Sequence, residues 1–463
     1  MNFKRFFIIL PLVVLTGCAT VRNARQVQKG DDRPFGERTP TAAELGLTTD
    51  KASTLSDLEQ IALKANPSIR KAVNSVNMAY LAVKIQKADF LPVISASAGH
   101  SRTTVNTNKH NYDYDTVGTW QGALNLDLMI YDFGKTNAAV KQALEEYKAA
   151  IHNLRSVENS VIYAVRTAYF ALLRAVELDK VAKETVDQYK EHLDHVQIRN
   201  DVGSGTPFDL TKAKVDYNNA ILNANSTANN VSIRWTNLVS AIGLAESTSF
   251  SISTVKLHEY ELDIDKLMIL ARLSEPGLAA LLTAENAASL NVEKAIKNLY
   301  PSLNLNLGAV LSGHDLSLPM LWNATGAASI AGTLFTGGKK ENAIKLAVLQ
   351  LKNARAATVA YEQELYKKLS TATLNAELAQ KQLQVAQLTE SQAQEYFNIV
   401  SEQYNVGKAS SLERTDAQVS LSDAKAKTVS AIYDYQDALA LISNLIGDFP
   451  VGEHEDIEKP NFE

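Results

Sequence analysis

The chain has 463 residues, with 46 Lys plus Arg against 51 Asp plus Glu and a formal net charge of −5. That balance excludes the basic face that a nucleic-acid partner requires, and the 11 Pro and 21 Gly are few for a length of two or three ordinary domains. The single cysteine excludes an intrachain disulfide and a cysteine-based metal site.

Residues 1–17 read as an export signal. Lys4 and Arg5 open it, Phe6 to Leu15 form an apolar run, and Leu15-Thr16-Gly17-Cys18 closes it. The run is too short to cross a bilayer as a helix. Leu-Thr-Gly-Cys in this position resembles the bacterial lipobox, which implies cleavage before Cys18 and acylation of that residue. Ala rather than Asp at position 19 implies, by the same resemblance, the outer membrane.

Residues 18–54 contain Asp31-Asp32-Arg33-Pro34 and Thr39-Pro40-Thr41 and read as an extended arm leading from the anchor. A first helix is predicted from Thr54 or Ser56, with Ser56-Asp57-Leu58-Glu59 in the form of a capping box. Leu58, Ile61, Ala62 and Ala65 recur on one face, and Asn66-Pro67 marks a break before a second helix to about Asp89.

After Leu91-Pro92 the period changes to two. Ile94, Ala96 and Ala98 alternate with Ser95 and Ser97, and Leu124, Leu126, Leu128 and Ile130 alternate with Asn125 and Asp127. The second half repeats the pattern with Leu303, Leu305 and Leu307 against Ser302, Asn304 and Asn306, then a Gly- and Ala-rich strand from Trp322 to Leu334. Polar tips at 106–115 and 312–318 suit hairpin loops, and Tyr112, Tyr114, Trp120, Tyr131, Trp322 and Phe335 stand near strand ends. Aromatics so placed fit either an interfacial girdle or ordinary strand packing.

Lys135 to Asp201 and Lys339 to Val406 contain neither Pro nor Gly, and each of these runs of about 67 residues would make roughly 100 Å of helix. Each leads to a turn, at Gly203 to Pro207 and Gly407 to Ser410, and then to a shorter helix ending at Ile242-Gly243 or Ile446-Gly447. A linker over 248–264 separates the halves. The acidic tail 448–463 is expected to be disordered.

The halves are copies. Gly134 and Gly203 return as Gly338 and Gly407 at a shift of 204 residues, whereas Pro67 and Pro92 return as Pro276 and Pro301 at a shift of 209. A long-period repeat of this kind fixes the architecture before any local assignment. The repeats are 55–247 and 265–447, each with a strand hairpin and a long antiparallel coiled coil. The fold class is therefore an α+β membrane protein. No stretch after the signal has about 20 consecutive apolar residues, so if the mature chain crosses a membrane it does so as strands in a closed barrel. Four strands cannot close one, since the smallest closed barrels have about eight, so several copies are needed.

Duplicated halves, Tyr131-Asp132-Phe133-Gly134-Lys135, Leu334-Phe335-Thr336-Gly337-Gly338-Lys339, the two Val-Gly turns and the lipobox together resemble the TolC-type outer-membrane efflux proteins over residues 55–447. The resemblance implies a homotrimer with a twelve-stranded barrel in outer-membrane lipid and a twelve-helix periplasmic tunnel, docked to a periplasmic adaptor and an inner-membrane pump. It also implies a gate at the helix tips, with Asp209 as the constricting carboxylate of the first hairpin and Tyr404 as its partner. Glu413 and Asp416 match the family's acidic ring. Their spacing of three places both on one helix face, and carboxylates crowded around an axis raise one another's pKa and attract cations. Two solvated carboxylates at a helix N-terminus are the plainer explanation. Ala409 stands at the family's gate arginine, so the lock either lacks a bidentate partner and is weaker or uses Lys408 beside it instead. Val202, Gly203, Val406 and Gly407 are the implied adaptor-contacting tips, although a tight turn explains the glycines equally well.

His192 and His195 lie three apart on a helix, but without a third ligand they read as a solvated face rather than a metal site. Gly337-Gly338-Lys339 lacks the earlier Gly and the following Ser or Thr of a phosphate loop. No catalytic constellation and no cofactor are predicted. Two alternatives stay open: a duct for one-step protein secretion, and a non-conducting coiled-coil adaptor or structural lipoprotein.

Overall fold

The computed structural model describes residues 20–21, 24, 52–106, 114–244, 250–254, 257, 259–314, 321–454 and 457. Cys18, the signal run, most of the 18–54 arm and most of both hairpin loops lie outside the described residues.

The first half runs α1 (Leu55–Ala65), α2 (Pro67–Ala88), β1 (Val93–Asn106), β2 (Tyr114–Tyr131), α3 (Lys135–Asp201) and α4 (Pro207–Ile242). The second runs α5 (Ile264–Ser274), α6 (Pro276–Lys297), β3 (Ser302–His314), β4 (Leu321–Ala331), α7 (Lys339–Asn405) and α8 (Ser411–Ile446). Helices of 11, 22, 67 and 36 residues follow one another in the same order in both halves.

The capping box of α1 lies two residues earlier than expected. The Thr54 hydroxyl accepts from the Asp57 N–H at 3.3 Å, and the Asp57 carboxylate accepts from the Thr54 N–H at 2.9 Å. Glu59 is not free to cap, because its carboxylate is buried against Arg166 of α3 at 2.6 Å. Leu55, also buried, is thereby drawn into the first turn.

All four strands form one antiparallel sheet in the order β1-β2-β3-β4. The register puts Ile94, Leu126 and Leu307 on one face, with Leu124, Leu128, Leu305, Leu311, Trp322 and Ile330. Asn125, Asp127, Asn304, Asn306 and Thr325 share the other, where Asn306 donates to Asp127. β4 stops at Ala331 rather than Leu334. Ala331 pairs with Ser302, and the preceding Pro301 has no N–H with which to extend the ladder. β1 and β4 are left as edges of this sheet.

Each long helix is matched by two shorter ones set end to end. α2 and α4 both pack on α3, and α6 and α8 both pack on α7. The joints are tight. A Cβ at Gly243, the cap of α4, would lie 2.8 Å from Asn66 Cα at the α1–α2 break. A Cβ at Gly447, the cap of α8, would lie 2.5 Å from the Ser274 carbonyl at the α5–α6 break. The Asn66 amide also donates to the Ala241 carbonyl at 2.9 Å.

The main core surrounds the first joint, with Leu58, Ile69, Val76, Ile162, Val165, Tyr169, Phe170, Leu238 and Ile242, and a second gathers Leu267, Met268, Leu369, Ile442 and Ile446 at the other. Part of the tail is ordered, contrary to expectation. His454 lies 2.5 Å from the fully buried Glu158, and Arg155 donates to the Gly452 carbonyl at 3.3 Å. Among the described residues no single helix is long and apolar enough to cross a membrane; α5 and α6 pass that test only together, across a 52° bend.

Candidate functional site at the helix tips

The two helix turns share one backbone design. In the first, the Arg199 carbonyl accepts from the N–H groups of Ser204 and Gly205, both at 2.9 Å; in the second, the Gln403 carbonyl accepts from Lys408 and Ala409 at 2.8 and 3.3 Å. Gly203 and Gly407 have φ of 76° and 75°, the left-handed conformation that closes such a turn without a Cβ clash. Thr206 and Ser410 then cap the outgoing helices by accepting from the N–H of Asp209 and Glu413, at 3.1 and 3.2 Å.

Asp209 and Glu413 are therefore equivalent positions with the same local role. The Asp209 carboxylate accepts from the Thr206 hydroxyl at 2.7 Å. The Glu413 carboxylate accepts from the Ser410 N–H at 2.7 Å and hydroxyl at 2.9 Å, which lowers its pKa. Asp416 is exposed one turn further along α8. Val202 and Val406 are 72% and 70% exposed, and Phe208 and Leu412 stand exposed beside them, so both tips present apolar groups to solvent.

The site's chemistry lies between the hairpins, and its centre is Tyr404. Its ring is buried, with the Arg199 guanidinium 4.6 Å from its centroid and the Arg414 guanidinium at 5.7 Å. Arg199 also donates to the Tyr404 carbonyl at 3.2 Å. His192 meets the ring edge-to-face at 5.5 Å and shares a hydrogen bond with Ser411 at 3.2 Å. Burial, reinforced by Arg414, pushes the His192 imidazole down to about 4. Its Nδ1 is buried without a hydrogen-bond partner, so the ring is held neutral. Burial also lowers the Arg414 pKa, an effect offset by Glu191.

A polar seam between α3 and α8 extends this contact away from the tip. Gln188 accepts from Gln418, the Thr185 and Ser422 hydroxyls lie 3.1 Å apart, and Lys425 pairs with Glu184 at 3.0 Å. Further along, Arg174 reaches Asp434 at 2.7 Å and Asp437 at 3.1 Å, and burial pushes the Asp437 carboxyl up to about 6.

Of the residues read from the sequence, Tyr404 is drawn into the contact between hairpins. Asp209 faces its own cap and makes no hydrogen bond to Tyr404 within the protomer. Lys408 forms no ion pair among the described residues, and the cations on Tyr404 are Arg199 and Arg414, which sequence reasoning missed. His192, which the sequence places on a solvated face, is 2% exposed and packed in the seam. A signal existed. At the shift of 204, His192, Arg199 and Leu210 align with Tyr396, Gln403 and Arg414, so the repeat diverges at the residues that meet across the seam.

The family model described as "Outer membrane efflux protein" matches twice, over residues 58–244 and 267–448. The chain belongs to the outer membrane efflux protein family. Among its relatives, the toluene efflux pump outer membrane protein TtgC of Pseudomonas putida is 24% identical over 392 residues, covering 80% of this chain and 78% of TtgC. The outer membrane efflux protein BepC of Brucella suis is 24% identical over 390 residues, covering 83% of each. In fold, the chain superimposes on the CmeC outer membrane channel of Campylobacter jejuni with a TM-score of 0.73, at 20% identity and 85% coverage of both chains. This efflux protein thus has the fold of an outer membrane channel, mostly helical with a small sheet, and its relatives are channels rather than enzymes.

Proposed function

We propose that three copies of this chain form the outer-membrane exit duct of a tripartite efflux system, with the Cys18 acyl anchor in the inner leaflet and the helix tips docked to a periplasmic adaptor and an inner-membrane pump. The repeats 55–247 and 265–447, joined by the 248–264 linker, each contribute two strands to a twelve-stranded barrel and two helical rows to a twelve-helix tunnel. The observation that carries this reading is the sheet. Its four strands have an apolar face, a polar face and two edges, and hang from helices of roughly 100 Å. Such edges cannot face lipid, and copies of the sheet closing on one another satisfy them.

The duct is passive, so its chemistry is a closed entrance that a partner opens. Tyr404, clamped between Arg199 and Arg414, ties the second hairpin to the first in the position that Ala409 cannot serve, while Asp209 and Lys408 remain available to a neighbouring copy. Glu413 and Asp416, repeated around a threefold axis, make an acidic ring that selects cations. Val202, Gly203, Val406 and Gly407 present an apolar, tightly turned tip to the adaptor.

The test is ion current through the purified protein in a planar lipid bilayer under a salt gradient. Wild type is expected to give small cation-selective steps. Asp209→Ala with Tyr404→Leu, which removes the ring that Arg199 and Arg414 face, should enlarge them, and Glu413→Gln with Asp416→Asn should move the reversal potential toward zero. Silence from inserted wild-type protein would remove the duct, and unchanged conductance or reversal potential would remove the residues assigned.

A further inference from the structure

On the apolar face of the sheet the register leaves room for few polar groups, and they cluster at one end. Among the described residues of that face the side chains of Asp, Glu, His, Lys or Arg are His100 and Arg102, both on β1 near the hairpin loop. His100 pairs with Trp120 across the strands, their rings 4.6 Å apart. Arg102 lies opposite Gly118 and is exposed, and beyond it the Thr104 and Thr116 hydroxyls meet at 2.9 Å. Below this level the face is Ile94, Ala96, Ala98, Leu124, Leu126, Leu307, Leu311 and Trp322.

The height of the change fits a bilayer. Leu303 pairs with Ile330 at the helix end of the sheet, and Gly313 pairs with Trp120. From Leu303 to Gly313 a strand rises about 34 Å, or about 25 Å once tilted by about 40°, which is the height of an outer-membrane apolar band. Trp120 is then at the outer rim of the hydrocarbon. Arg102, two residues beyond, stands about 5 Å above it, where a cation on the lipid face costs far less than at the midplane.

We infer that His100, Arg102 and the Thr104–Thr116 hydroxyl pair form an outward-facing site for a phosphate on the glycolipid headgroup of the outer leaflet. The inference rests on the barrel reading proposed above. The guanidinium fork offers two parallel donors to one phosphate, His100 offers a ring N–H whichever tautomer is present, and the hydroxyls accept or donate as required. The acyl chains would lie over the leucine rows beneath.

The experiment counts lipid A retained by the full chain in detergent, by native mass spectrometry. Wild type is expected to hold bisphosphorylated lipid A at about tenfold lower concentration than His100→Gln with Arg102→Gln, and to hold dephosphorylated lipid A as weakly as that variant does. Arg102→Lys, which keeps the charge without the fork, should lose about threefold. Equal retention of lipid A by wild type and the double variant would overturn the site. If the double variant does not fold, Arg102→Gln alone carries the comparison. Planar-bilayer current is recorded on the same samples: unchanged steps in the variants alongside equal lipid retention would sink the lipid site and leave the barrel standing, whereas wild type that neither inserts nor conducts would sink both.

Discussion

The two helix tips have one backbone and two sets of side chains. Their turns, caps and glycine conformations match position for position at the shift of 204, down to the cap-bound carboxylates Asp209 and Glu413. What differs is what each sends across the seam: the first tip supplies His192 and Arg199, the second supplies Tyr404 and Arg414. Duplication thus gave a reusable turn, and divergence at a few positions turned two copies of it into complementary halves of one contact.

Acid should break this complementarity most strongly. The His192 pKa is about 4 when buried between the tips and 6.5 in its ordinary state, so separated tips bind more protons in that window and the contact weakens as pH falls from 6.5 toward 4. The full shift is worth about 3 kcal/mol. Arg414, His195, Asp209 and Lys212 all act on the same ring. Asp437 works in the opposite sense below pH 6, because its raised pKa makes protonation favour the packed seam. The His192 contribution is therefore the difference between wild type and His192→Gln: on acidification single-channel conductance should rise more in wild type than in the variant, where Asp437 remains to tighten the seam. Identical pH profiles would place the acid response elsewhere.

Arg414→Leu installs at the second tip the residue type that the first has at Leu210. Losing a buried guanidinium over Tyr404 should weaken the contact by about 2 kcal/mol, raise conductance, and move the acid response toward pH 6.5, since a charge that depresses His192 has gone. An unshifted acid midpoint would detach Arg414 from His192. The smallest effects probe the shared backbone. Thr206→Ala and Ser410→Ala should each cost about 1 kcal/mol of thermal stability, and a clear inequality between them would show that the tips differ in backbone as well as side chain.

Much of this molecule is legible in its sequence because repeats and breakers are local signals. Pro67 and Pro276, Gly203 and Gly407, and the leucine alternation of β2 and β3 locate the helices, turns and strands with no knowledge of packing. The seam is not legible in the same way. Whether Arg414 or Asp416 turns inward depends on the phase of α8 against α3, which is set by the whole coiled coil. The N-cap of α1 moved for a similar reason, because Glu59 is claimed by Arg166 from a helix more than a hundred residues away. The tail shows the same limit, since its acidic composition conceals a histidine that docks on a buried glutamate.

The spliced joints at Gly243 and Gly447 have a mechanical consequence. Because the second row is broken there, within each half the only uninterrupted covalent rod between tip and sheet is α3 or α7, and the other row carries load across the joint through packing and, at the first joint, the Asn66–Ala241 hydrogen bond. A torque applied at the tips therefore reaches the strands covalently through α3 and α7, and along the other row only by way of those packed contacts.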